Sequence, residues 1–376
     1  MSPPRWRIAT SILLLVLDVG QATAWNIEGR VKGGTQGYFE SPPFHKDFDS
    51  EAELRLGVLG DFWKSDPWKL DFELSADAKQ VDGPSEQAHF ARETDVDFFR
   101  GWLRLDHGNF KIRGGRQKIL FGSGFVFRPL GFFDTRDVTG VVPETRGVDG
   151  VRTTYFFDET TSVESWLVPA KRNESVVWGM RGEALLGNVE TGAVIQYHPK
   201  TDLEELADFN QDMWQAGFYF KGEKAVGYWN ESRLDVENNR GNHPVRFDTV
   251  FGVDYTFDVG EGLHVLTEYF LSVRERQFTQ TDLQGDRTVQ QLAVLLDQPV
   301  GIDVKWQVFG IYDLKDRSFQ LIPQIEYYLA RQTYLYLHGR WGASLREGEK
   351  KGRLFRKSRV FNGTESMLGL AVVIYF

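Results

Sequence analysis

Met367-Leu-Gly-Leu-Ala-Val-Val-Ile-Tyr-Phe376 ends the sequence, and it carries no charge. Successive side chains of a strand point to opposite sides. Leu368, Leu370, Val372, Ile374 and Phe376 therefore share one face, and Gly369, Ala371, Val373 and Tyr375 share the other. A strand apolar on both faces suits the buried last strand of a secreted sandwich, or a strand with one face in lipid. The rest of the sequence decides between them.

Alternation with period two recurs upstream, and no long segment after residue 25 keeps a clean helical period. Trp68, Leu70, Phe72 and Leu74 interleave with Lys69, Asp71, Glu73 and Ser75. Phe247, Thr249, Phe251, Val253, Tyr255 and Phe257 interleave with Arg246, Asp248, Val250, Gly252, Asp254 and Thr256. The pattern predicts strands over roughly 25–38, 51–63, 68–80, 95–105, 110–118, 148–157, 160–169, 174–185, 188–198, 212–221, 223–235, 246–258, 262–274, 287–297, 301–313, 318–329, 332–344 and 364–376. Many are close to the ~9–11 residues a tilted strand needs to cross a bilayer. Their connections alternate in kind. One set is short, such as His107-Gly108-Asn109, Leu186-Gly187 and Ala330-Arg331. The other is mostly long and polar: 39–50, 81–94, 119–147, 199–211, 236–245, 275–286 and 345–363. The fold class is thus all-β: a transmembrane antiparallel barrel of about 18 strands (16–18), with short periplasmic turns and long outer loops.

Composition agrees. The 376 residues are 14% aromatic, with 38 Gly, 13 Pro and no Cys. Aromatics favour strands and Gly favours tight turns. The absence of Cys excludes disulfides, thiolate metal sites and thiol catalysis. A net charge of −9 excludes general nucleic-acid binding. A mean hydropathy of −0.37 leaves no place for a helical membrane protein.

Residues 1–24 have the form of a signal peptide: Arg5 and Arg7, the apolar run Ile12 to Leu17, and the cleavage site Ala22-Thr23-Ala24. Cleavage near Ala24 removes Arg5, Arg7 and Asp18 and takes the net charge from −9 to −10. The domain organisation expected is a signal peptide over 1–24 and a barrel over 25–376. A C-terminal Phe376 preceded by alternating apolar residues resembles the strand by which bacterial barrel-assembly machinery recognises its clients. The expected place is the bacterial outer membrane, with its lipid and that machinery as partners.

In such a barrel the mixed parity of each strand faces inward and lines the lumen. Phe98, Arg100, Trp102 and Arg104 share that parity on one strand, followed by Lys111 and Arg113 on the next and Arg152 on a third. These form a basic wall. Asp71, Glu73, Glu183, Asp248, Asp254, Glu268 and Glu326 make the inward parity elsewhere acidic, so a transverse field is expected. The longest loop, 119–147, carries Phe121, Phe125, Phe127, Leu130, Phe132 and Phe133, too apolar for a loop that meets only water. It is expected to fold into the barrel and to set Arg128, Arg136, Arg146, Asp134, Asp137 and Glu144 at the narrowest point. Guanidinium groups there favour carboxylate-bearing solutes. Trp102, Tyr219, Tyr328, Tyr334 and Tyr336 also have inward parity, which would let them stack on sugar rings; aromatics near strand ends more often form interface girdles, and that is the expectation.

Gly115-Arg116-Gln117-Lys118-Ile119, then a Gly- and aromatic-rich stretch with Pro129 and Asp134, then Arg146-Gly-Val-Asp-Gly-Val-Arg152 resembles bacterial alginate-export-type outer-membrane porins. The resemblance implies an eighteen-strand barrel with a long internal loop. It matches at Arg116, Gln117, Asp149, Gly150 and Arg152, and makes Arg116, Asp149 and Arg152 partners in a wall network beneath the loop. Arg116 falls on the apolar parity, so a bulge near Gly114-Gly115 is expected to turn it inward.

The seven His are scattered without metal-ligand spacing, and no nucleophile elbow, Walker loop or dinucleotide fingerprint is present. The function expected is a porin for passive diffusion of small hydrophilic, anionic or saccharide solutes, without enzyme activity, cofactor or metal. The alternatives are a structural barrel that sheathes a periplasmic partner such as an electron-transfer protein, and an outer-membrane hydrolase. Nothing in the sequence sets the oligomeric state.

Overall fold

The computed structural model describes residues 25–39, 46–85, 88–138, 140–170, 175–200, 211–238, 241, 243–276, 278, 288–315, 317–344 and 366–376. The signal peptide expected at 1–24 lies outside the described residues, as do most of the long loops 199–211, 275–286 and 345–363.

Eighteen strands follow one another in chain order. They are β1 (Trp25–Phe39), β2 (Lys46–Ser65), β3 (Trp68–Ser85), β4 (Ala88–His107), β5 (Phe110–Gln117) and β6 (Val148–Phe156). Then come β7 (Thr161–Pro169), β8 (Val176–Leu186), β9 (Val189–His198), β10 (Asp212–Glu223), β11 (Gly227–Asn238) and β12 (Val245–Phe257). The last six are β13 (Leu263–Arg274), β14 (Thr288–Val300), β15 (Val304–Asp313), β16 (Ser318–Ala330), β17 (Thr333–Ser344) and β18 (Ser366–Tyr375). Each pairs antiparallel with its neighbours, and β1 pairs with β18, so the sheet closes on itself. At the seam the Gly29 N–H donates to the Phe376 carbonyl at 2.8 Å, and the Phe376 N–H donates to the Gly29 carbonyl at 3.0 Å. Closure leaves no edge along the strands' paired length, as a bilayer demands of a sheet.

The period-two pattern sorts the side chains as expected. On β18, Leu368, Leu370 and Ile374 are exposed on the outside, whereas Ala371 and Val373 are buried inside. Two outward aromatic belts flank the apolar band. Trp68, Tyr155, Phe157, Tyr255 and Phe257 lie at the short-turn end, and Trp178, Tyr197 and Trp214 pack together at the long-loop end.

The wall is uneven in height. β2, β3 and β4 have 20, 18 and 20 residues, against 8 and 9 for β5 and β6. The sequence pattern ended these three strands five, five and seven residues early on their long-loop side, because 39–50 and 81–94 read as polar loops. In the structure those ends stay on the ladder, where Ser50 pairs with Asp82 and the Gln80 amide donates to Asp82 at 3.0 Å. A second departure lies on β4. The register slips between Ser75 and Ala76 of β3, so Phe98 turns outward and Phe99 turns inward. The sequence placed Phe98 beside Arg100 on the inward face; a bulge, which adds a residue to one strand, reverses that assignment.

Candidate functional site

The segment 118–147 leaves the wall at the end of β5 and returns at the start of β6, and between those points it packs against the inner wall in two lobes. The first lobe, 119–134, is apolar. Ile119, Phe121, Leu130 and Phe133 are buried with Trp166, Val168, Val177, Val194 and Tyr219. Phe121 lies 4.5 Å from the Trp166 ring, and Phe127 stacks on Phe270 at 5.0 Å. Burying several such side chains supplies a strong drive to hold the loop inside.

Apolar packing leaves the loop's backbone amides to be satisfied, and two wall carboxylates do this. Glu268, 0% exposed, accepts from the N–H groups of Phe125, Val126 and Phe127 at 2.6, 2.8 and 2.9 Å, and from the Trp229 indole at 2.8 Å. Glu231, also 0% exposed, accepts from Gly124 at 2.9 Å and from Leu130. Gly122 has φ +82°, and a Cβ there would collide with the Glu231 carboxylate, so the residue must be Gly. From the wall, Arg233 donates to the Pro129 carbonyl at 2.7 Å.

The second lobe, 135–147, sweeps the other way. Val141 and Val142 pack on Tyr336, Ala371 and Val373, and Glu144 pairs with Arg30 at 2.8 Å and Arg55 at 2.7 Å. The lobes are tied at their base, where the Thr145 hydroxyl donates to Asp134, the Arg146 N–H donates to Thr135, and Arg100 donates to the Thr145 carbonyl at 2.6 Å. Together they reach the wall from β7 round to β4.

Two cavities lie beside the loop among the described residues. The larger, about 620 Å³, lies towards the long-loop end between β1–β4, β17, β18 and the second lobe. Its charges include Arg30, Arg55, Asp77, Asp97 and Arg340, with Asp137, Glu144 and Arg146 from the loop. Most are paired: Arg30 with Glu53 and Glu144, Arg55 with Asp77 and Glu144. The smaller, about 240 Å³, lies towards the short-turn end, lined by Arg104, Lys111, Arg113, Arg152 and Arg181 against only Glu164 and Glu183. Arg104 is paired with Asp71, Arg152 with Glu164 and Arg181 with Glu183. Lys111 and Arg113 are not: among the described residues each meets an aromatic face, Phe156 at 4.9 Å and Trp102 at 4.2 Å, and no carboxylate.

The thirteen residues singled out in the sequence thus fall into four places. Asp137, Glu144 and Arg146 line the larger cavity; Arg104, Lys111, Arg113 and Arg152 line the smaller. Arg100, Arg128, Asp134 and Arg136 hold the loop. Arg128 pairs with Asp134 at 2.7 Å, Arg136 donates to the Phe125 carbonyl at 2.8 Å, and Arg100 lies on Phe99 at 4.0 Å. Burial, then the charge of Arg100, pushes the nearby Lys118 ammonium below its ordinary pKa. Arg116 and Asp149 line neither cavity. They pair at 3.0 Å, and Arg116 also reaches Asp97 at 3.3 Å and the Phe98 carbonyl at 3.0 Å. No register slip occurs on either side of β5, so the inward turn expected at Gly114-Gly115 is absent and Arg116 stays on the parity of Asp149 and Val151. Gln117, fully buried, donates to the Gly150 carbonyl at 3.1 Å and fastens the point of departure.

The acidic counter-wall is not free. Asp71 serves Arg104, Glu73 the Trp102 indole, Glu183 Arg181, Asp248 Arg246, Asp254 His264, and Glu268 the loop. The transverse field gives way to a local excess of positive charge around Lys111 and Arg113. The girdle assignment also fails for the inward tyrosines. Tyr219 and Tyr336 are buried under the loop, and Tyr334 packs beside Tyr336. The clamp at Glu231 and Glu268, and the latch at Arg30 and Arg55, went unseen. Their inward parity was legible, but only the folded loop shows what they hold.

No family model and no curated protein matches this sequence. Solved structures do. The fold is that of outer-membrane porin structures. Acinetobacter baumannii OccAB1 superposes with a TM-score of 0.60 at 10% identity, covering 94% of this chain and 96% of that one. Pseudomonas aeruginosa OprD gives 0.58 at 8% identity with 94% of each chain covered, and Pseudomonas aeruginosa OccK5 (OpdH) gives 0.58 at 7%, covering 94% and 97%. At such identities the likeness is one of fold.

Proposed function

We propose that this chain is an outer-membrane porin through which small hydrophilic solutes diffuse passively, with a preference for anionic groups. The observation that carries the preference is the pair Lys111 and Arg113, two cations without a carboxylate partner in the smaller cavity. A positive excess with low-dielectric walls raises the local concentration of anions and lowers that of cations. Export after cleavage near Ala24 and insertion by the barrel-assembly machinery are part of the proposal, on the form of residues 1–24 and of the C-terminal strand, and the aromatic belts suit a membrane setting. On Arg116, Gln117, Asp149, Gly150 and Arg152 we propose kinship with the alginate-export-type porins. The sheath alternative needs a lumen wide enough for a partner protein, and the two loop lobes packed across it argue against that use. The channel reading assigns no catalytic residue.

Single-channel recording in a planar bilayer under a salt gradient tests this. The mature protein is expected to give discrete conductance with a reversal potential on the anion side. Lys111→Gln with Arg113→Gln should move that potential towards cations. Absence of conductance in every solute, or an unmoved potential in the double variant, overturns the reading.

A further inference from the structure

Ion pairs account for three of the five cations that line the smaller cavity. Arg104 is matched by Asp71, Arg152 by Glu164 and Arg181 by Glu183, which leaves Lys111 and Arg113. Asp106, directly across the β4–β5 ladder from Lys111, turns to Arg104 at 3.6 Å instead. The two free cations lie over the Phe156 and Trp102 rings, and an aromatic face attracts a cation without neutralising it. Two uncompensated positive charges thus face one small space.

Hydroxyls complete the lining. Thr154 of β6 stands directly opposite Lys111, and Ser162 of β7 stands opposite Phe156. Both line the cavity, and among the described residues neither hydroxyl has a hydrogen-bond partner. The Arg113 guanidinium is likewise without one there, although its Nε–H is buried. Four donor side chains from three strands therefore border a space of about 240 Å³ with no acceptor of their own. That volume is below the ~300–1,000 Å³ of sites for drug-sized ligands, so it suits an ion or a compact head group.

We propose that Lys111, Arg113, Thr154 and Ser162 form a binding site for a phosphoryl group, carried by inorganic phosphate or by a small phosphomonoester. Near neutral pH such a group carries about −1.5 to −2 charges and three strong acceptor oxygens. The charge matches the two unpaired cations. The oxygens point in three directions and can take donors spread over β5, β6 and β7, and hydrogen bonds from cations to phosphate are among the strong ones. A single carboxylate brings one charge and two oxygens in one plane, which leaves one of the two cations uncompensated. The inference rests on the channel reading and deepens it, from anions in general to a class with a site of its own.

The test measures block of chloride current in a planar bilayer at about pH 8, where the phosphoryl group is a dianion. Inorganic phosphate and methyl phosphate are compared with succinate, which carries the same charge on two separate carboxylates. Phosphate is expected to halve the current at a concentration about tenfold below that of succinate. Thr154→Val keeps the shape and the charge and removes one donor. It should weaken the block by phosphate about tenfold, the loss of one hydrogen bond to a charged group, and leave the reversal potential in chloride unmoved. Lys111→Gln should weaken the block further, whereas Lys224→Gln, on an exposed short turn, should not weaken it. Block by methyl phosphate as well as phosphate assigns the site to esters too; block by phosphate alone assigns it to the free ion. Isothermal titration of the detergent-solubilised barrel with phosphate is the second arm. If the barrel does not conduct, the channel reading falls, and the titration still decides whether the site binds. Succinate as effective as phosphate, or undiminished phosphate binding in Thr154→Val, overturns the site.

Discussion

Glu268 illustrates how a single side chain fixes the lumen. Three consecutive amides and an indole point at one fully buried carboxylate, so the loop turns where that carboxylate stands. Removing it leaves those donors unsatisfied in a dry place, at about 1–3 kcal/mol for each group left unpaired. Glu268→Ala is therefore expected to raise hydrogen exchange at amides 125–127 by more than about tenfold while exchange in β12 and β13 changes far less. Equal protection in the variant would show that aromatic packing alone holds the lobe. Arg128 makes the complementary case. Its charge is spent on Asp134, so Arg128→Gln should loosen the same lobe and shift ion selectivity less than Lys111→Gln does, read by the reversal potential. The sequence showed Lys111 and Arg113 plainly, because parity along a strand is local. It could not show that Arg128 is spent and Lys111 is not, because their partners come from contacts that the fold creates.

At the scale of the element, the strand that announced the fold also seals it. The Phe376 ring lies over Gly29 on the outer face of β1, and a Cβ at Gly29 would collide with that ring. Gly29→Val should therefore push the two strands apart at the seam, a misfit of about 1–3 kcal/mol on the scale usual for overpacking. The expected outcome is a lower temperature for loss of the compact, heat-modifiable gel band, with partial recovery in Gly29→Val combined with Phe376→Leu. An unchanged temperature would mean that the seam does not limit stability. Strand number and parity were legible because lipid on one side and polar lumen on the other impose a two-residue period on every strand. Two things were not. The tall ends of β2–β4 carry charge on paired positions, which in sequence looks like a solvated loop, and the slip at Phe98 leaves no composition signal at all.

For the whole molecule, the question is what sets the width of the passage. An eighteen-strand barrel is wide enough to hold an aqueous channel, yet here the two lobes of 118–147 pack across the described lumen, with a cavity of about 620 Å³ towards the long-loop end and one of about 240 Å³ towards the short-turn end. The lobes differ in how they are held. The first is buried and clamped through its backbone at Glu231 and Glu268; the second is held by Val141, Val142 and the Glu144 latch, whose carboxylate is one-third exposed to the larger cavity. Opening should thus be easier at the second lobe, since a partly solvated ion pair stabilises much less than a dry clamp. Glu144→Gln removes a negative charge from beside Arg30 and Arg55, and it should raise both the conductance and the preference for anions. Replacing 123–142 by a short Gly-Ser linker should raise conductance further and erase most selectivity, because the positive excess at Lys111 and Arg113 would then face a wide, well-screened lumen. If the linker variant inserts and conducts no better than wild type, the narrowest point lies outside the loop, and the two lobes serve only to brace the wall.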